Sequence, residues 1–144
     1  MTEPDTIKLL KECNAGIKIG INGIEDVLPE VKNPDFSALL TDSRKEHEKL
    51  GSETRELLNK CHDSGKEPHP MAKSMAKMKT NVKLAFDNSD RSAASLITDG
   101  CNMGVKSLNK YLNQYNGADE KSKDIAKRLI HIEERLAEDI SCFL

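Results

Sequence analysis

The chain has 144 residues, of which 37% are hydrophobic, 32% charged and 3% aromatic, with no Trp. That length fits one domain, 1–144, which buries roughly 70% of its unfolded surface, and so few aromatics argue against a sandwich or barrel, whose strands favour aromatic and β-branched residues. The 22 Lys and Arg against 24 Asp and Glu leave a formal net charge of -2, so whole-chain charge gives no reason to expect a nucleic-acid partner.

Apolar residues Ile7, Leu10, Ile17, Ile21, Ile24, Leu28 and Val31 recur at steps of three and four, which predicts one long helix over about 5–31. Pro4 suits its first turn, whereas Pro29 should end or bend it. Asn33-Pro34-Asp35 reads as a turn, after which Phe36, Leu39, Leu40, Leu50, Leu57, Leu58 and Cys61 predict a second helix over about 35–62. The stretch DSGKEPHP, 63–70, is a loop by composition. Met71, Met75, Met78, Val82 and Phe86 then stripe a shorter helix that carries Lys73, Lys77, Lys79 and Lys83 and no acid. Asp87-Asn88-Ser89-Asp90 offers caps for a helix with Ala94, Ile97, Cys101, Val105, Leu108, Leu112 and Tyr115 inward, stopped by Asn116-Gly117. Ile125, Leu129, Ile132, Leu136, Ile140 and Phe143 stripe the last helix, from about 119 to the end.

Hairpin 1 therefore covers about 5–62, the crossover 63–87 and hairpin 2 about 88–143. Displacing the chain by 84 residues matches Gly16 to Gly100, Gly20 to Gly104, Leu28 to Leu112 and Asp35 to Asp119, and brings the two turns together. The halves read as two copies of one helical hairpin. A helical Gly costs about 1 kcal/mol relative to Ala, which close backbone approach offsets. The first and third helices are therefore expected to cross near Gly16, Gly20, Gly100 and Gly104.

No apolar run approaches the ~18 residues of a membrane span, and MTEPDTIKLLKE lacks a basic start followed by an apolar signal core. The expectation is a cytoplasmic protein with no membrane span. Cysteines 13, 61, 101 and 142 never form a Cys-x-x-Cys pair, so four reduced thiols are expected, with Cys13 or Cys142 as the candidate surface thiol.

Paired hairpins joined by a crossover, this length, and phrases such as PMAKSMAKMK and DGCNMGVKSL give the chain a likeness. It resembles the ferritin-like superfamily in its rubrerythrin and bacterioferritin branch, and ferritin-like bundles common in anaerobic Gram-positive bacteria. The resemblance implies an all-α, up-down four-helix bundle of two long hairpins with an additional short helix on the crossover. It also implies a bacterial protein, and in active members a two-metal centre. Such a centre takes a Glu from each of two helices and a Glu-x-x-His from each of the other two.

This sequence departs from that ligand pattern. His47 falls in the inward stripe of the second helix, but Arg44 stands three residues before it. His131 and Glu134 read as facing water, and Cys101, Gly104, Val105 and Leu108 occupy the inward side of the third helix. Glu25, Glu46 and His47 are the residues a degenerate iron site or oxidase would use. The stronger expectation is a core His47 hydrogen-bonded to a neighbour such as Asn14, with no metal, no cofactor and no catalytic apparatus. The function expected is non-catalytic, through contacts with an unidentified protein partner or with itself as a homo-oligomer, most simply a dimer. Met71, Lys73, Met75, Lys77, Met78 and Lys83 form the candidate partner surface, or alternatively a reversible membrane-surface adaptor.

Overall fold

Pro29 removes a backbone donor, and α1 (Pro4–Val27) gives way there to a short 3-10 turn, Leu28–Glu30, in a computed structural model that describes residues 4–61 and 87–144. The first helix expected over 5–31 thus ends earlier, at the point where the ring disrupts the ladder. Asn33 caps α2 (Pro34–Lys60), its side-chain oxygen accepting from the amides of Asp35 at 2.8 Å and Phe36 at 3.2 Å. Ser89 caps α3 (Asp90–Gln114) and Asp119 caps α4 (Glu120–Asp139) in the same way, and a second 3-10 turn, Ser141–Phe143, follows. The expected Met- and Lys-bearing helix, with Met71, Lys73, Met75, Lys77, Met78 and Lys83, lies outside the described residues.

Hydrogen bonds at the two ends set the direction of each helix. At one end, Asp5 accepts from the Gly117 amide at 2.9 Å and Thr6 accepts from the Asp119 amide at 2.8 Å. The start of α1 therefore meets the α3–α4 turn. At the other end both carboxylate oxygens of Asp90 accept amide protons, from Lys32 and Asn33 at 2.9 Å each, so α3 begins beside the α1–α2 turn. Phe143 stacks on Phe36 at that same end, with ring centroids 4.7 Å apart. It follows that α1 and α4 run one way while α2 and α3 run the other, and that α2 ends and α3 begins at opposite ends of the bundle.

Around the bundle the order is α1, α2, α4, α3, and α1 also packs across the diagonal onto α4. Arg128 bridges α4 to Glu53 of α2 through two hydrogen bonds, at 2.6 and 3.1 Å, and Arg135 pairs with Glu46 one level up. Buried apolar side chains form two clusters. One holds Leu10, Ile17, Leu50, Leu108, Ile125 and Leu129; the other holds Ile24, Phe36, Leu40, Ile97, Leu136 and Ile140. Burying each such side chain stabilises by about 1.5–3 kcal/mol. Between the clusters one layer of the bundle is not apolar.

Candidate functional site

Each helix contributes one residue to that layer: Gly20, His47, Gly104 and Glu133. On every helix the layer residue lies between members of the two clusters, as Gly20 does between Ile17 and Ile24 and Glu133 between Leu129 and Leu136. Inward placement of Glu133 follows from helical spacing, because it is four residues after Leu129 and three before Leu136. What permits it is the absence of opposing side chains. A Cβ at Gly20 would stand 2.7 Å from His47 Nε2, and one at Gly104 would collide with the Glu133 carboxylate. The two glycines make room for the two polar heads.

His47 is 1% exposed and Glu133 is 5% exposed. The Ser43 carbonyl accepts from His47 Nδ1 at 2.8 Å, which assigns the ring proton to Nδ1 in the neutral ring and leaves Nε2 a lone pair. Nε2 stands 3.9 Å from Glu133 Oε1, within ion-pair range but beyond a hydrogen bond. His47 Nε2 and Glu133 Oε2 are both buried with no hydrogen-bond partner. Burial pushes the Glu133 carboxyl above its ordinary value, and His47 pulls it partly back.

These groups form part of the wall of a cleft of about 520 Å³ between α1 and α3. Its α1 wall carries Glu12, Gly16, Ile19, Gly20, Gly23 and Ile24, and its α3 wall carries Ile97, Gly100, Cys101, Gly104, Leu108 and Tyr111. Among the described residues, no Lys or Arg lines it. Glu12 is 5% exposed, its Oε2 lacks a partner, and its side chain hydrogen-bonds Tyr111. Burial, with the charge of Glu12 behind it, pushes the Tyr111 hydroxyl up to about 12, and burial raises the Cys101 thiol to about 12 as well. A cavity of this size, mostly apolar with a few convergent polar groups, has the character of a small-molecule site.

Several expected site residues fall elsewhere. α1 and α3 do pack on each other, but the four glycines are not points of tight mutual approach: a Cβ at Gly100 would meet nothing within 4 Å, and one at Gly16 would meet Leu129 of α4 at 3.5 Å. With little side chain to fill the gap, the face stays open as the cleft. The expected His47–Asn14 hydrogen bond is replaced by the bond to Ser43, because a carbonyl one turn earlier on the same helix is within reach of Nδ1. Asn14 keeps a buried side-chain oxygen without a partner. Cys13 is fully buried and its thiol is raised to about 12 by burial, so it is no surface thiol, whereas Cys142 is exposed. Glu133 and Glu12 were not anticipated; the position of Glu133 in the apolar stripe of α4, and that of Glu12 one turn before Gly16 on the glycine face of α1, were the available signal.

The two-metal centre implied by the ferritin-like resemblance does not fit these residues. Glu25 is exposed and Glu46 pairs with Arg135, so neither converges on His47. Glycine stands on α1 and α3 in the layer where His47 and Glu133 meet. Among the described residues, no three His, Cys, Asp or Glu side chains are placed to share an ion. No helix among them is long and apolar enough to cross a membrane. Compared with family models, curated proteins and solved structures, the chain has no match.

Proposed function

We propose that this protein is a non-catalytic helical bundle that binds a small organic molecule in the cleft between α1 and α3. The observation that carries this reading is the pair of unpartnered buried atoms on the cleft wall, His47 Nε2 and Glu133 Oε2. A buried polar atom without a partner costs about 1–3 kcal/mol, and a ligand that supplies the partner recovers it. The apolar walls supply the rest of the affinity through burial.

The ferritin-like arrangement belongs to the same proposal. It is supported by two antiparallel hairpins, by α2 ending and α3 beginning at opposite ends of the bundle, and by a mid-bundle layer whose two polar groups come from α2 and α4. Side-by-side dimerisation is a separate proposal, and a strict monomer in sedimentation equilibrium at high protein concentration would sink it.

The neutral apolar dye Nile red tests the cleft. Its fluorescence is expected to rise with saturable, one-site binding and to lose that rise in the Gly23→Leu/Gly100→Leu variant. Both positions have open space where a side chain would begin, so helicity by circular dichroism should persist. Dye binding unchanged in that variant would overturn the reading.

A further inference from the structure

The cleft has two polar poles. Glu133 and His47 form one beside Gly20 and Gly104; Glu12 and Tyr111 form the other. Glu12 precedes Gly20 by eight residues on α1, and Tyr111 follows Gly104 by seven on α3. At 1.5 Å per residue those separations are about 12 Å and about 10.5 Å. The two helices run in opposite directions, so both counts lead to the same end of the cleft and agree on the distance between poles.

Both poles present acceptors. Glu133 and Glu12 each keep one buried carboxylate oxygen without a partner, and His47 Nε2 adds a third. With its Nδ1 proton committed to Ser43, a neutral His47 can only accept at Nε2. A buried carboxylate is tolerated when a cation answers it, yet among the described residues no Lys or Arg lines the cleft. The missing groups are cationic donors, one at each pole, and apolar residues such as Ile24, Ile97 and Leu108 lie along the walls.

We infer that the ligand is a linear aliphatic diamine or polyamine whose terminal ammonium groups sit about 11 Å apart, one between Glu133 and His47 and the other at Glu12. This inference rests on the cleft reading above and adds its ligand class. An ammonium carries three donors and no acceptor, which suits the carboxylate and imidazole at the first pole. The methylene chain lies against the apolar walls.

Isothermal titration calorimetry with 1,8-diaminooctane, 1,4-diaminobutane, 1-aminooctane and 1,8-octanediol tests it on the full chain. 1,8-diaminooctane is expected to bind at one site, with 1-aminooctane and 1,4-diaminobutane each at least about tenfold weaker, since each satisfies one pole at a time. Glu12→Gln and Glu133→Gln, near-isosteric changes, are each expected to reduce the affinity for 1,8-diaminooctane to near that for 1-aminooctane while Nile red binding persists. If 1,8-octanediol binds as tightly as the diamine, or the diamine fails to bind a protein that still takes up Nile red, the ligand class is wrong and the cleft stands. If Nile red also fails, the cleft reading falls first.

Discussion

Glycines on the two cleft walls respond to substitution in opposite directions. Gly100→Ala removes a flexible helical glycine where an added methyl meets nothing, so it is expected to stabilise by about 0.5–1 kcal/mol in urea denaturation. Gly20→Ala gains the same helix propensity but places its methyl 2.7 Å from His47 Nε2. The ring is held by Ser43, and overpacking of this kind costs about 1–3 kcal/mol, so a net loss is expected. Glu133 sets a pH dependence. Its carboxyl is raised in the folded protein above the ordinary 4.5, so the native state holds the proton more tightly than the unfolded chain. The corresponding stability is fully present below about pH 4.5 and is lost as pH rises through the elevated value. Denaturation curves from pH 4 to pH 8 should show a decline over that window that flattens in Glu133→Gln. A decline of equal steepness in the variant would assign it to another group.

α2, α3 and α4 each start on a capping side chain, and first-turn side chains at the two ends of the bundle join the hairpins. Asp90 lies in the first turn of α3, yet both its oxygens are spent on amides of the α1–α2 turn. It thereby anchors the second hairpin to the first across 57 residues of sequence. Asp90→Ala is expected to cost about 1–2 kcal/mol by losing these bonds together with its favourable place at a helix N-terminus. Asp35 is also an acid in the first turn of its helix, and its carboxylate has no such cross-hairpin bonds. Asp35→Ala is therefore the control, expected to cost well under that amount in the same urea titration. Equal losses would assign the effect to helix charge alone. The Arg128–Glu53 and Arg135–Glu46 pairs are partly exposed, and such pairs contribute about 0.2–1 kcal/mol each and weaken with salt. They register α2 against α4 more than they hold the bundle together.

At the scale of the molecule, the polar layer interrupts what would otherwise be one continuous core. His47→Leu with Glu133→Leu is expected to join the two apolar clusters and to raise stability by about 1–4 kcal/mol, as replacement of buried charged pairs by apolar residues often does. His47→Leu alone leaves Glu133 buried without its neighbour and is expected to destabilise. If thermal unfolding shows the double variant to be weaker than the wild type, the layer contributes to stability. If it is stronger, the layer has been kept at a cost in stability, which is the behaviour expected of a binding site.

The four long helices, the turn at Asn33-Pro34, the stop at Gly117 and the inward position of His47 were all legible in one dimension, because periodicity, capping and proline chemistry act within a few residues of each other. His131 and Glu134, read as facing water, are exposed. Glu133, one position from Glu134, was passed over although it shares the stripe of Leu129 and Leu136. A buried carboxylate depends on space lent by another helix, here by Gly104 of the neighbouring α3, and no local pattern records that space. The glycine repeat illustrates the same division. Spacing alone places Gly16, Gly20, Gly100 and Gly104 on the facing surfaces of α1 and α3, but whether small residues draw two helices together or leave a cleft depends on where α1 finds its other partners. It packs on α2, on α3 and diagonally on α4, and the space left between α1 and α3 is a property of the assembled bundle, since burial is shared among all four helices at once.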